Sequence, residues 1–183
     1  PWTSFASAVQ NGAMSMEANA GMISKVYFPR MVIPGAFVCG AALDFLIAFT
    51  AFLIIAIFAG QFSFWLLIPM PFFLLIQMMA AMGIGLFFGA LNAQYHDVKY
   101  MVPFILQMGM LVSVLVDLAN HGWLAQHLLS INPVAPLIYG YQCALHGQAI
   151  DLALIGQAAL ISIGLLAGGI WFFRAREAKL VDI

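Results

Sequence analysis

The sequence predicts an all-α protein, a polytopic transmembrane helical bundle with about five spans, folded as a single domain over residues 1–183. Hydrophobic residues make up 64% of the chain and charged residues 7%, whereas a soluble domain carries roughly 25% charged residues. No Lys, Arg, Asp or Glu lies between Asp44 and Asp97, and the hydrocarbon interior of a bilayer excludes charge. The net charge of -1 argues against a nucleic-acid partner.

The predicted spans follow one another along the apolar stretches of the chain. They cover residues 1–18, 34–59, 64–91, 100–116 and 152–173. The first is the least apolar and is marginal in length, and the second is long enough to cross with a tilt. Pro69 and Pro71 lie near the start of the third, where missing amide donors matter least, or else they kink it.

Two stretches do not fit as simple spans. Residues 19–33 combine apolar side chains with Lys25 and Arg30, and this amphipathic pattern is typical of a segment that lies on a surface. Residues 117–150 are apolar but are interrupted by glycines and by Pro133 and Pro136. Such a segment is expected to be re-entrant or interfacial, because its backbone is tolerated only where protein or water covers it.

The basic residues predict the orientation of the bundle. If successive spans cross the membrane in opposite directions, every Lys and Arg lies on the same side of it, and basic loops stay on the cytoplasmic side. We therefore expect residues 19–33 and the C-terminus to be cytoplasmic and residues 117–150 to be external. Because Pro1 would then start outside, we expect one more span upstream of it. The basic residues are Lys25, Arg30, Lys99, Arg174, Arg176 and Lys179.

Polar residues within the predicted spans suggest a hydrophilic path. Ser4, Ser7, Asn11 and Ser15 recur at three- and four-residue intervals and so share one face of a helix. A polar stripe on a membrane helix either packs against another helix or lines such a path. Asp44 lies about 15 Å below the membrane surface by helical rise. It is therefore expected to be protonated, hydrogen-bonded across the bundle or facing water, with a role in transport as the alternative.

Small residues four positions apart predict close helix packing, since they let two backbones approach each other. Three such pairs occur in the predicted spans: Ala8 with Gly12, Gly85 with Gly89, and Gly164 with Gly168.

No catalytic constellation occurs in the sequence. It contains neither a phosphate-binding Gly-x4-Gly-Lys-Ser/Thr motif nor an HExxH zinc motif. The four histidines fall in predicted loops and not on facing spans. The sequence therefore predicts neither an enzyme nor a metal site.

Residues 19–30 read Asn-Ala-Gly-Met-Ile-Ser-Lys-Val-Tyr-Phe-Pro-Arg, followed by Ile33-Pro34. This string resembles the cytoplasmic coupling loop of the type-2 ABC exporter permeases for polysaccharides, which export O-antigen, capsule and teichoic acid. The resemblance covers nearly the whole chain, although His96 stands where the family usually has Arg. Its further matches are Leu43-Asp44-Phe45, Gly83-Ile84-Gly85, the turn from Asn92 to Val98, Asn132-Pro133 and Phe173-Arg174.

The resemblance implies a permease subunit that works as a homodimer in the cytoplasmic (inner) membrane and moves a polysaccharide or lipid-linked glycan. A separate ATP-binding cassette subunit would supply the energy, with ATP and Mg on that partner and no cofactor on this chain. Family members also carry an N-terminal interfacial helix and a first span before the matched region, so the chain resembles an N-terminally truncated subunit.

The resemblance also implies roles for individual residues. The element that contacts the ATPase subunit would consist of Asn19, Met22, Ile23, Lys25, Val26, Tyr27, Phe28, Pro29 and Arg30. The cytoplasmic turn would consist of Asn92, Tyr95, His96 and Asp97, and the conduit would be lined by Ser4, Ser7, Asn11, Ser15 and Asp44.

Two other interpretations remain open from the sequence. A permease of the same architecture could export a drug or lipid-type molecule. The chain could be a membrane scaffold subunit that transports nothing. In that case, residues 19–33 would serve as an anchor to lipid headgroups.

Overall fold

The computed structural model describes residues 1–19, 21, 30–60, 67–95, 97–118 and 132–177, except for the side chains of residues 112, 114–118 and 177. Within these ranges the chain forms six helices and no strand, which confirms the all-α prediction. The helices are α1 (Trp2–Ala18), α2 (Val32–Phe58), α3 (Met70–Asn92), α4 (Val98–Leu118), α5 (Ala135–Leu145) and α6 (Leu152–Glu177).

Helices α2, α3 and α6 are long and apolar enough to cross a membrane. Helix α1 has 17 residues, about 26 Å at 1.5 Å per residue, which is slightly less than a hydrocarbon core of roughly 30 Å. Helix α4 has 21 residues, and its stretch Val98–Leu111 is apolar. The chain is therefore a multi-pass membrane protein.

The third predicted span begins later in the structure than the sequence indicated. Helix α3 starts at Met70 and not at residue 64, with Pro69 as its N-cap and Pro71 in its first turn. Proline has no amide hydrogen, and amides in the first turn have no partner within the helix. The two prolines therefore set the start of α3 and do not kink it.

Helix α3 lies between α1 and α6, and glycines allow both contacts. A Cβ added to Gly12 in α1 would lie 3.4 Å from the Gly85 Cα, and one added to Gly89 would lie 3.4 Å from the Gly12 carbonyl oxygen. The predicted packing role of Gly12, Gly85 and Gly89 is thus confirmed. Ala8 is fully buried in the same contact region.

The contact between α3 and α6 uses a different glycine from the predicted pair. A Cβ added to Gly169 would lie 2.8 Å from the Gly83 carbonyl carbon, so the two backbones touch at this point. Nothing lies within 4 Å of a Cβ placed on Gly164 or Gly168. The prediction that these two pack closely is therefore wrong for the described part of the chain. Because Gly168 and Gly169 point to different sides of α6, only one of them can face α3.

Helix α5 lies within the predicted re-entrant segment. Its 11 residues span about 17 Å, roughly half of the hydrocarbon thickness. Asn132 fixes its start, because its side-chain oxygen accepts a hydrogen bond from the Val134 amide at 3.0 Å, while its Nδ2 donates to the Ser113 Oγ in α4 at 2.8 Å. The buried cluster in which α5 packs includes Phe45, Phe73, Leu137, Tyr141, Ala144 and Ala158.

One end of the bundle carries all of the basic residues within the described ranges, and we call it the basic end. An apolar cluster of Met16, Leu86, Ala90 and Phe173, with Met31 packed against it, joins the ends of α1, α3 and α6 to the start of α2. Arg30 precedes Met31 and Arg174 follows Phe173 in the sequence. Lys99 is held there by a salt bridge to Glu17, and Arg176 by a hydrogen bond to Gln94.

Candidate functional site

A cavity of about 580 Å³ lies between α1, α2 and α5, and we call it the α1–α2 cavity. A second cavity of about 600 Å³ borders α1, α3, α4 and α6, but its lining is almost entirely apolar. Of these two cavities, the α1–α2 cavity is the one lined by hydroxyl groups and a carboxylate, so it is the better suited to a polar ligand. It is lined by Pro1, Thr3, Ser4, Ser7, Ala41, Asp44, Phe45, Ala48, Phe49, Phe52, Ile138, Tyr141, Gln142 and Leu145.

The polar side of this cavity comes from α1 and from the middle of α2. Ser4 and Ser7 project from α1 one turn apart, and the Ser4 hydroxyl donates to the Ala41 carbonyl oxygen at 3.2 Å. Asp44 is exposed on the α2 side. No hydrogen bond to the Asp44 carboxylate occurs among the residues that the structure describes, so the carboxylate faces the cavity rather than a neighbouring helix.

The aromatic side of the cavity is a row of rings along α2 that ends on α5. Phe45 stacks on Phe49 with ring centroids 5.9 Å apart, and Phe49 lies 6.3 Å from Phe52. Phe45 also contacts Tyr141 of α5 at 6.0 Å. The rings recur at three- and four-residue spacing, which aligns them on one face of α2. Such a cavity offers flat apolar surfaces opposite hydrogen-bonding groups, an arrangement suited to a ligand that has both.

The predicted polar stripe of α1 divides between two environments. Ser4 and Ser7 line the cavity, whereas Asn11 is exposed and does not line it. Ser15 is buried, and its hydroxyl donates to the Gly12 carbonyl oxygen of its own helix at 2.7 Å.

Three polar side chains from three helices meet at the basic end, and we call them the Glu17 cluster. The Glu17 carboxylate accepts a hydrogen bond from the Lys99 ammonium at 2.9 Å and another from the Asn92 Nδ2 at 3.1 Å. The hydrogen bond and the negative charge of Glu17 raise the pKa of Lys99, which keeps this ammonium charged. Asn92 is buried, and its Oδ1 has no partner among the described residues.

A second polar contact at the basic end holds α6 to the turn after α3. Arg176 donates to the Gln94 side-chain oxygen and packs over the Phe172 ring, with its guanidinium carbon 4.4 Å from the ring centroid. Within this predicted cytoplasmic turn, Tyr95 and Asp97 are exposed. His96 lies outside the described residues.

The predicted coupling segment is described only at its two ends. Asn19 caps α1, with its Nδ2 donating to the Ser15 carbonyl oxygen at 2.8 Å. Arg30 is partly buried just before α2. The positions between them that we predicted to contact an ATPase lie outside the described residues: Met22, Ile23, Lys25, Val26, Tyr27, Phe28 and Pro29.

Sequence reasoning missed two parts of these sites. Tyr141 and Gln142 reach the cavity from α5, and no periodicity shows where a short apolar helix packs. Glu17 was also missed, although a signal was present. It is the only acid in the first predicted span and lies at its end, next to the basic segment, and Lys99 stands alone in the next loop of the same predicted face. Among the described residues no group of three metal-binding side chains occurs.

The chain is similar along its whole length to curated membrane-transport proteins. It is 24% identical over 186 residues to the O-antigen export system permease protein RfbA of Myxococcus xanthus, and the match covers 100% of this chain and 72% of that protein. Two proteins of the same name from Klebsiella pneumoniae are 24% and 28% identical over 189 residues, with 100% of this chain and 71% of each protein covered.

The chain is a homologue of O-antigen export permeases. This finding confirms the resemblance to type-2 ABC polysaccharide-exporter permeases that the sequence motifs indicated. No protein-family profile matches the chain. Because the similarity spans all six helices, the α1–α2 cavity and the basic end both belong to the region shared with these permeases.

Proposed function

We propose that this chain is the membrane-spanning permease subunit of an ATP-driven exporter that moves polysaccharide, free or lipid-linked, across the cytoplasmic membrane. The main support for this proposal is that three proteins named for O-antigen export match the chain over its whole length. ATP hydrolysis would reside on a separate ATP-binding cassette subunit, since the chain itself has no phosphate-binding motif.

The chemistry of the α1–α2 cavity supports a polysaccharide substrate. A sugar ring presents an apolar C–H face and a rim of hydroxyl groups. The row Phe45, Phe49 and Phe52 can pack against the first, and Ser4, Ser7 and Asp44 can hydrogen-bond to the second. A purely apolar drug or lipid would leave this carboxylate and the Ser7 hydroxyl without hydrogen-bond partners, which is unfavourable away from water.

We propose that the cavity forms one side of the conduit and that a second copy of the chain supplies the other side. A homodimer with a two-fold axis would place two identical cavities opposite each other. A long polymer could then pass between them without either copy enclosing it completely. In this arrangement the contacts would be many and individually weak, which suits a substrate that must slide and not be held.

We propose further that residues 19–30 contact the ATPase subunit. The segment joins the ends of α1 and α2, the two helices that line the cavity. A displacement of this segment would therefore reach both cavity walls directly. Apolar side chains such as Tyr27 and Phe28 would fill a groove on the partner, with Lys25 and Arg30 at the rim.

The test of the conduit compares two tryptophan substitutions at adjacent positions of α2. Ala48 lines the cavity, whereas the neighbouring Ile47 is 70% exposed on another side of the helix and does not line it. Both variants are expressed in a strain that lacks the gene, and surface polysaccharide is measured at matched membrane levels of the protein.

Ala48→Trp fills the cavity and is expected to lower export by roughly tenfold or more, equivalent to about 1.4 kcal/mol of added barrier. Ile47→Trp places the same indole towards lipid and should retain wild-type export. Equal export by the two variants would show that the substrate does not pass through this cavity. Surface polysaccharide that is unchanged by deletion of the gene itself would reject the proposed function as a whole.

A further inference from the structure

The Glu17 cluster lies between the proposed coupling segment and the rest of the bundle. Glu17 is two residues before Asn19, where the segment begins. Its carboxylate binds Asn92 at the end of α3 through one oxygen and Lys99 at the start of α4 through the other. A single side chain thus joins three helix ends, two residues before the segment on which the ATPase subunit would act.

The contact of α1 with α3 continues away from this cluster as a close backbone seam. Gly89 approaches the Gly12 carbonyl oxygen, and Gly85 approaches the Gly12 Cα. Packed backbones slide or separate only at the cost of many dispersion contacts, so the half of α1 near the basic end is held against α3. The Glu17 cluster closes this seam at the point where α1 would otherwise be free to fray.

Helix α1 then leads directly to the cavity. Its other half carries Ser4 and Ser7 on the cavity wall, and Ser4 binds the Ala41 backbone of α2. The same rigid helix therefore has one end at the coupling segment and the other at the conduit. Its length of 17 residues is about 26 Å.

We propose that Glu17 is a positioning residue for energy coupling. By binding Asn92 and Lys99, it makes α1, α3 and α4 follow a displacement of residues 19–30 as one body, so that the displacement changes the width of the α1–α2 cavity. This inference rests on the proposed function, because it requires both an ATPase partner and export.

The choice of a carboxylate follows from the geometry. Two donors from different helices approach one side chain, and an ionised carboxylate accepts from both with charge-assisted hydrogen bonds. The two donors approach different oxygens of Glu17, and a glutamine would present an NH2 group to one of them, so in this geometry it could accept from only one donor. Loss of Glu17 would leave the Lys99 ammonium without this acceptor and the buried Asn92 amide with both of its polar groups unpartnered among the described residues.

The test measures ATP hydrolysed per polymer exported, a ratio that a purely structural role would leave unchanged. Wild-type chain, Glu17→Ala, Glu17→Gln and the double charge reversal Glu17→Lys with Lys99→Glu are each purified with the ATPase subunit and assayed for hydrolysis in nanodiscs. Export of surface polysaccharide is measured in cells at matched membrane levels. Arg174→Gln removes one charge from the same end of the bundle at an exposed position and serves as the control.

Glu17→Ala is expected to raise the ratio roughly fivefold or more, because hydrolysis continues while export falls. Glu17→Gln should give an intermediate value, and Arg174→Gln should match wild type. The charge reversal restores the ion pair, and rotation of the Asn92 amide can turn its Oδ1 towards the new ammonium. This double variant should therefore return the ratio to within about twofold of wild type.

A wild-type ratio in Glu17→Ala and Glu17→Gln at normal membrane levels would overturn the inference. If both variants lose membrane protein, the charge reversal decides: a recovered protein level with a ratio that stays altered would show that the pair with Lys99 does not carry the coupling, which also overturns the inference. Failure of the wild-type chain to co-purify with the ATPase or to export polysaccharide would instead reject the proposed function on which the inference rests.

Discussion

A methyl group added to Gly83 is expected to push α3 and α6 apart. The new Cβ would lie 2.6 Å from the Leu166 backbone nitrogen, and real Cβ contacts of this kind are not found below 3.0 Å. The obstacle is backbone and not a flexible side chain, so it cannot rotate away. The two helices would have to separate by several tenths of an ångström along their whole line of contact.

The magnitude follows from two opposing effects. Overpacking a closely packed contact costs about 1–3 kcal/mol, while replacing glycine by alanine within a helix favours the helix by up to about 1 kcal/mol. Gly83→Ala should therefore destabilise the protein by about 0–2 kcal/mol, and by about 1–3 kcal/mol relative to a glycine-to-alanine change that meets no obstacle. Gly169→Ala should behave in the same way, because its Cβ would lie 2.8 Å from the Gly83 carbonyl carbon.

Gly164 and Gly168 provide matched controls in α6, the helix that also contains Gly169. Nothing lies within 4 Å of a Cβ at either position, so only the helix-propensity effect remains and alanine should be neutral or slightly stabilising. Thermal unfolding in detergent, followed by circular dichroism, measures all four variants. A melting temperature for Gly83→Ala equal to or above that of Gly164→Ala would refute the backbone contact between α3 and α6.

Three further changes test other parts of the protein. Asp44→Asn should preserve membrane insertion and most surface polysaccharide, because an amide keeps a hydrogen-bonding group facing the cavity; complete loss of export at normal protein levels would show that the negative charge is required. Tyr27→Ala combined with Phe28→Ala should abolish export and co-purification of the ATPase, whereas Lys25→Ala alone should have a much smaller effect. The reason is that apolar anchors contribute more contact energy than charges at the rim of an interface. The reverse ranking would favour a lipid-surface anchor. Asn132→Ala should lower the unfolding free energy by about 1–2 kcal/mol, because it loses its hydrogen bonds to Ser113 in α4 and to the start of α5, and an unchanged denaturation midpoint would contradict that link.

The sequence determined the class of the protein and the approximate position of its helices. A long, charge-free apolar stretch that crosses a bilayer forms a helix, because a helix pairs the backbone N–H and C=O groups within the segment itself, where no water is available. The predicted second, fourth and fifth spans therefore agree with α2, α4 and α6 to within a few residues, apart from the C-terminal end of α6. The late start of α3 was less accessible, since apolar composition continues across the prolines that begin the helix.

The tertiary structure alone decided which polar residues share a site. Periodicity placed Ser4, Ser7, Asn11 and Ser15 on one face of a helix, but in the packed bundle Ser15 is buried while Ser4 and Ser7 line the cavity. Sequence spacing similarly suggested Gly164 and Gly168 for close packing, although Gly169 is the residue that meets α3. Helical periodicity predicts which residues share a face of a helix, but it does not indicate on which side of that helix a neighbouring helix packs. Asn92 and Lys99 lie 75 and 82 positions after Glu17 along the chain. For this reason the three residues could be recognised as one cluster only from the packed helices.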